Sequence, residues 1–270
     1  MILALLLLPA ARAAVDVRCE GQVGATPPAW YTDDQSQLDY VLIHFALNTS
    51  FSPLHGAFPA EPGHMRLQVE LDVTPGLSCE RRFYHSREST VDSNHSPVLP
   101  RPRVGFTSKP LGKVVFYGSA GFLPPIPLGD ASTVTASGEA GIGIVASEKS
   151  GVSARVHYSH TRLTAHLFPP VATTDPLIRD FYDGSTFGAD GIVSFKAGSV
   201  QPYLSVGYLD VSTFAWVGET SAVVNNFDPY AGMALSVGTQ IDVKKFASAV
   251  EFYAVPGHLY TGRMSAGVQF

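Results

Sequence analysis

Hydrophobic and polar residues alternate with a period of two through most of the chain after residue 64. In the stretch Met65–Val73 the odd positions are apolar and the even positions are charged or carry an amide. The last twelve residues, 259–270, repeat the pattern with an apolar row that ends on Phe270. A period of two is typical of β-strands with one apolar and one polar face. A polar face this rich in charge predicts contact with water, because a dry core does not tolerate unpaired charges.

Ten strands of this kind are predicted between residue 65 and residue 270. Their ranges are 65–73, 103–108, 114–122, 133–146, 151–161, 186–195, 200–211, 230–243, 246–255 and 259–270. On one side of the sheet the predicted connections are short, at 109–113, 147–150, 197–199 and 244–245. On the other side they cover 79–102, 124–132, 168–185, 214–229 and the brief 256–258. Sorting of connection length by side is typical of membrane barrels, and a Greek-key sandwich has no reason for it.

The first 64 residues have a different character. Residues 1–13 are an apolar run, a proline and a triplet of small-x-small type, which predicts a signal peptide cut after Ala13 and an exported protein. No stretch reaches the roughly 20 apolar residues of a spanning helix, so any membrane crossing would need strands.

Residues 14–64 are predicted to form an N-terminal extension ahead of the strands. Asp33 or Asp34 is placed to cap a helix that runs to about Asn48. We expect this helix to lie as a plug in or under the mouth of the sheet structure. The alternative is a further strand over 40–47, which is also rich in apolar residues.

Composition and motifs narrow the function classes. Charged residues are 15% of the chain and the net charge is −5, which gives no basic footprint for nucleic acid. The chain contains no phosphate-binding glycine loop, CxxC, HExxH or nucleophile elbow, so neither cofactor nor metal is predicted. Cys19 and Cys79 are candidates for one disulfide in an exported chain, with two free thiols as the alternative.

Over residues 65–270 these patterns resemble bacterial outer-membrane β-barrel proteins. The resemblance implies an all-β fold, a transmembrane antiparallel up-and-down β-barrel of about ten strands. Twelve strands are the alternative, if 40–47 and part of a long loop also pair. It further implies a place in the bacterial outer membrane among lipid and lipopolysaccharide, with the barrel-assembly machinery as a partner. That machinery reads the closing strand, where the predicted signal is Tyr260, Met264, Val268 and Phe270.

Strand parity assigns a set of charged and polar side chains to the inside of this barrel. The set is Arg66, Glu70, Asp72, Arg103, Glu139, Arg155, His157, Asp190, Lys196, Glu251 and Arg263. In a narrow lumen opposite charges would pair. The network would either fill the barrel or leave a polar path or gate.

The leading functional prediction is porin-like passive transport or binding of a small-molecule solute, and a structural or adhesive barrel is an alternative. The extension before the first strand, with the sequence GFLPPI at 121–126, is similar to hydrophobic-compound transporters of the fatty-acid channel type.

A further alternative is enzymatic. His157 and Ser159 lie two residues apart and project to the same face, and a base beside a hydroxyl is the arrangement of hydrolases. The pair resembles that of outer-membrane lipid A deacylases, which implies lipid hydrolysis. Glu139 and Asp190 lie on the neighbouring strands, whereas the Asp-x-His arrangement of omptin proteases is absent. The alternative to catalysis is a polar lining, and hydrolysis stands second to transport.

Overall fold

The fold is a closed ten-stranded antiparallel β-barrel that holds a helix inside its wall. The computed structural model describes residues 34–74, 100–128, 131–147, 149–165, 180–217, 222–225 and 230–270. The helix α1 spans Asp34–Asn48. The strands are β1 Met65–Val73, β2 Arg101–Thr107, β3 Val114–Leu128, β4 Ala131–Ser147, β5 Ser150–Ala165, β6 Asp180–Phe195, β7 Val200–Val217, β8 Ala222–Asn225, β9 Ala231–Val243, β10 Phe246–Val255 and β11 Leu259–Gln269.

The hydrogen-bonded circuit of the wall has no free edge. β1 pairs with both β2 and β11, and β7 pairs with both β6 and β9, so the ten long strands form a ring. Closure satisfies the backbone N–H and C=O groups within the wall, which the hydrocarbon of a membrane requires. The short β8 pairs with the end of β7 outside this ring. The prediction of ten strands is therefore confirmed, and the twelve-strand alternative is wrong because residues 40–47 are helical.

The barrel is apolar outside and polar inside, the reverse of a soluble domain. On β1 the outward Met65, Leu67 and Val69 are exposed, whereas the inward Arg66 and Glu70 are buried. Large exposed hydrophobic side chains continue around the wall on every long strand. Among the outward side chains that the structure describes on the strands, the charged ones are Arg162, Asp183 and Asp210, all toward the rim of the longer connections. The waist of the barrel is thus an uncharged apolar belt of the kind that faces lipid.

Two predicted connections differ from the structure. The predicted loop 124–132 is mostly strand, since β3 continues to Leu128 and β4 begins at Ala131. Pro124 and Pro125 sit where the register shifts between Leu123 and Ile126, a β-bulge that tolerates residues without an N–H. Strands β5, β6 and β7 likewise extend beyond their predicted ends on this rim, which we call the long-loop rim. The opposite rim, with the connections 108–113, 148–149, 196–199 and 244–245, is the short-turn rim.

The apolar core lies inside the barrel near the long-loop rim, where α1 docks on the wall. Ile43, Ala46 and Leu47 pack against a cluster from β7, β9, β10 and β11. On the other side of the helix Leu42 packs against Tyr182 and Ala215. The predicted helix is confirmed, and its apolar residues point to the inner wall.

Some sequence predictions lie outside the described residues. These are the signal peptide over 1–13 and the pairing of Cys19 with Cys79. Within the described ranges, no helix combines the length and the apolar character needed to cross a membrane.

The apolar belt predicts a depth-dependent cost of charge on the outer face. We expect Val156→Arg, halfway along β5, to lower the free energy of unfolding by about 2–4 kcal/mol, because its guanidinium would lie near the bilayer midplane. Val152→Arg, closer to the short-turn rim, is the matched control and should cost about 0–1 kcal/mol. The measurement is denaturant unfolding from lipid vesicles. Equal costs for the two variants would contradict a membrane-embedded belt.

Candidate functional site: the plugged lumen

The lumen is occupied by the chain segment that joins α1 to β1. We call residues 49–61 the strap. Phe51, Leu54 and Ala57 are fully buried within it, and His55 is 1% exposed. From the end of α1 the strap descends through the barrel to Glu61, whose carboxylate lies 3.3 Å from Lys196 Nζ at the short-turn rim. Gly63, with φ of +85°, then turns the chain into β1.

Four arginines of the wall bind four consecutive carbonyl groups of the strap. Arg101 Nη1 donates to Thr49 O at 3.0 Å, Arg263 Nη1 to Ser50 O at 2.7 Å, Arg155 Nη2 to Phe51 O at 3.0 Å, and Arg103 Nη1 to Ser52 O at 3.0 Å. Because each guanidinium carries five donors in a fixed fork, it can hold a carbonyl and a carboxylate together.

The backbone amides below these carbonyls find acceptors on other strands. Leu54 N donates to Glu251 Oε2 at 3.0 Å, after a left-handed turn of the chain at Leu54 with φ of 51°. Further down, the strap amides donate to one amide oxygen and one hydroxyl. Gly56 N donates to Gln240 Oε1 at 2.9 Å, and Ala57 N to Ser194 Oγ at 3.0 Å. The strap is therefore bound like an extended peptide in a polar groove that surrounds it.

The same arginines form an alternating chain of charges along the inner wall. Arg101 Nη2 lies 2.5 Å from Glu70 Oε1, and Arg103 Nη2 lies 3.1 Å from Glu139 Oε1. Arg155 contacts Glu139 and donates from Nε to Asp190 Oδ2 at 2.7 Å. Each of these four arginines thus has a carboxylate beside it, which a buried ion needs to offset a desolvation penalty of several kcal/mol.

Strand register explains why these residues meet. Glu70 pairs directly with Arg101 across β1 and β2, and Asp72 pairs with Arg263 across β1 and β11. Arg155 pairs with Asp190 across β5 and β6 in the same way. Directly opposed side chains of neighbouring strands lie on one face within contact distance. The charge pattern in the sequence therefore becomes a set of cross-strand pairs once the register is fixed.

Small residues make room for the larger groups of the lumen. A Cβ at Gly188 would collide with the imidazole of His157, and a Cβ at Gly207 would collide with the carboxylate of Asp190. Pairing of large with small side chains is how a narrow barrel interior is filled.

Near the long-loop rim, α1 is fixed by polar contacts to the β10–β11 turn. His44 Nδ1 donates to His258 O at 3.0 Å, and Tyr40 Oη donates to the same carbonyl at 3.3 Å. Burial lowers the pKa of His44, and the hydrogen bond to the His258 carbonyl partly offsets this effect.

The structure brings most of the predicted lumen residues together. Ten of the eleven predicted residues point inward, as expected. The exception is Lys196, which is 45% exposed at the short-turn rim. The expectation that Lys196 lines the lumen is wrong because β6 ends at Phe195, so the alternation stops there.

Three ionisable members of the site are missing from the set that the sequence predicts. The sequence pattern places Arg101 in the connection 79–102, but Arg101 belongs to β2 and shares the parity of Arg103 two residues later. Asp242, which lies 2.8 Å from Arg66 Nη2, shares the inward parity of Gln240. His55 Nε2 hydrogen-bonds with Glu139 Oε1 at 2.9 Å. No sequence signal marks His55, because the strap has no regular period.

His157 and Ser159 point into the lumen with separate partners. Ser159 Oγ lies 2.7 Å from Thr186 Oγ1, and His157 Nε2 lies 3.4 Å from Asp190 Oδ2. Both side chains are buried. This arrangement does not supply a reason to propose a hydrolase.

The described side chains form no metal centre, and a cavity lies at the short-turn rim. No group of three or more His, Cys, Asp or Glu side chains in the described part of the protein could hold a metal ion. A cavity of about 140 Å³ lies at the short-turn end of the strap, lined among others by Glu61, Lys149, Lys196, Gln201 and Asp242.

Comparison with known proteins finds similar solved structures. No protein-family model and no functionally curated protein matches the chain. Similar solved structures include Ail of Yersinia pestis (11% identity, 77% of this chain and 99% of that chain, TM-score 0.35). They also include the toluene transporter TodX of Pseudomonas putida (12% identity, 76% of this chain and 67% of that chain, TM-score 0.37). A third is the translocator domain of the autotransporter NalP of Neisseria meningitidis (9% identity, 77% of this chain and 88% of that chain, TM-score 0.38).

The structure itself defines the class. A closed antiparallel wall, an uncharged apolar belt outside and a polar interior are the features of bacterial outer-membrane β-barrels. The protein is an outer-membrane β-barrel protein, and it resides in the outer membrane.

The charge network predicts unequal costs for two arginines on one strand. Arg155→Met should lower the free energy of unfolding by about 3–5 kcal/mol, because Glu139 and Asp190 would lose their shared buried partner. Arg162→Met is the control, since Arg162 forms an exposed pair with Asp183 at 3.2 Å and should cost no more than about 1 kcal/mol. Urea unfolding from vesicles measures both. Similar losses would show that the buried network adds nothing beyond a surface pair.

Proposed function

We propose that the protein is a gated channel for passive passage of small polar solutes, with the strap as the gate. The observation that carries the proposal is the binding of four consecutive strap carbonyls by Arg101, Arg103, Arg155 and Arg263. The obstruction in the lumen is thus a separate segment whose backbone is held by polar contacts, beside the buried side chains of Phe51 and Leu54. A barrel that serves only as an anchor can be filled by the side chains of its own wall.

Polar contacts support a reversible gate because water can replace them. A hydrogen bond to a charged group contributes about 1.5–3 kcal/mol net, since water would satisfy the same groups after separation. The helix α1 is different, because Ile43 and Leu47 are packed in an apolar cluster on the wall. We therefore expect the strap to move while α1 stays docked.

Withdrawal of the strap would leave a lumen lined by charges of both signs. Arginines and carboxylates line the wall from β11 through β1 to β6. Such a lining favours small hydrated solutes over hydrocarbons, because it offers hydrogen bonds and no continuous apolar path.

A reversible disulfide between strap and wall tests the gate. A Cβ added at Gly151 would lie 2.9 Å from Ala57 Cβ. Because a disulfide needs roughly 3.5–4.5 Å between its two Cβ atoms, the bridge requires the strap to shift away from β5 by a little over about half an ångström. The test variant carries Ala57→Cys and Gly151→Cys, with Cys19 and Cys79 changed to Ser. We expect liposome swelling with small sugars, and ion conductance in planar bilayers, to be lost when the variant is oxidised and to return on reduction.

The two single-cysteine variants in the same background are the matched controls, and oxidation should not change their flux. Equal flux through oxidised and reduced double variants would show that the strap is not the gate. Absence of flux through wild type and reduced variant alike would favour a structural barrel.

A further inference from the structure

Lysine is confined to one rim of this barrel. The chain has six lysines, Lys109, Lys113, Lys149, Lys196, Lys244 and Lys245. All of them lie in the four connections of the short-turn rim, and all six side chains are exposed. We call this set the lysine ring. It is spread around the circumference, since each of the β2–β3, β4–β5, β6–β7 and β9–β10 connections carries at least one lysine.

The ring carries an excess of positive charge with few partners. The residues of the four connections include one acidic side chain, Glu148, which lies outside the described residues. Lys196 forms an ion pair with Glu61 at 3.3 Å. For the other five ammonium groups, no carboxylate in the described ranges lies within ion-pair distance.

The ring borders directly on the apolar belt. Phe195, 59% exposed, precedes Lys196, and Phe246, 51% exposed, follows Lys245. Leu111, 70% exposed, lies between Lys109 and Lys113. A lysine at the edge of a lipid-facing surface lays its alkyl chain along that surface and places its ammonium group at the headgroup level.

We propose that the lysine ring binds the phosphate groups of anionic phospholipids in the leaflet around the short-turn rim. In outer-membrane barrels this rim faces the periplasm. An annulus of lipid contacts all four connections at once, whereas a single polymer strand would contact one side of the ring. Lysine suits this task because its compact charge on a flexible stem can follow mobile headgroups, while the planar arginine fork serves fixed partners in the lumen.

Electrostatic attraction sets the expected size of the effect. One lysine near an anionic membrane surface strengthens association about fivefold. The attraction is screened by salt, with a Debye length of about 30 Å at 0.01 M and 3 Å at 1 M.

Electron paramagnetic resonance of spin-labelled lipids in vesicles that contain the full chain tests the proposal. At about 0.01 M salt we expect phosphatidylglycerol to be enriched several-fold over phosphatidylcholine in the motionally restricted lipid shell, and at about 1 M salt the two to become equal. Changing all six lysines to Gln should remove the preference. Arg162→Gln, a charge change toward the opposite rim, is the control and should keep it.

Salt titration of the wild type gives a readout that does not depend on folding of the sixfold variant, and retention of a heat-modifiable gel shift checks that fold. Equal association of both lipids with the wild type at low salt overturns the proposal. So does a preference that survives the six substitutions in a folded variant. Binding to purified peptidoglycan that depends on the lysines, without any lipid preference, would overturn it in favour of the cell wall as partner.

Discussion

The structure depends on finding a hydrogen-bond or ion-pair partner for the polar groups buried inside the closed barrel. Closing the wall turns the polar face of every strand inward, into a space that the strap fills and in which most of the polar side chains are buried. Arginine solves this problem at the centre of the lumen. Arg103, for example, contacts Glu139 on the wall and the carbonyl of Ser52 on the strap. One side chain thereby satisfies a buried carboxylate and a buried backbone group, neither of which has a partner in its own strand or segment.

Different interactions hold the interior segments at different depths of the lumen. Near the long-loop rim, α1 is held by apolar burial around Leu47 and Leu209, an interaction that surrounding water drives and does not compete for. In the middle, the strap is held by hydrogen bonds for which water competes. Positive charge is divided in a similar way, since the described strands place five arginines inside the barrel and the short-turn rim carries the lysines. The division matches rigid bidentate contacts in the interior and mobile ones at the membrane surface.

Much of the barrel could be predicted because each strand of a membrane barrel alternates apolar residues that face lipid with polar residues that face the lumen. The alternation in β1 and β11 is complete enough to assign the inside and outside of nearly every residue. Errors occurred where a local rule was overridden. Pro124 and Pro125 suggest the end of a strand, yet a bulge accommodates them and β3 continues. Parity predicts an inward Lys196, but parity has no meaning beyond Phe195, the last residue of β6.

The site was predicted only in part, for a related reason. Arg155, Asp190 and Glu139 follow from parity, whereas the contribution of the strap does not. Its binding groups are backbone carbonyls and amides of residues 49–57, which every residue carries and which leave no mark in the sequence. The sequence alone determined which side chains face the lumen, because strand geometry forces alternation. Only the tertiary structure decided that the strap fills that lumen and that four arginines meet its carbonyls, because ring closure and register bring together residues far apart in the chain.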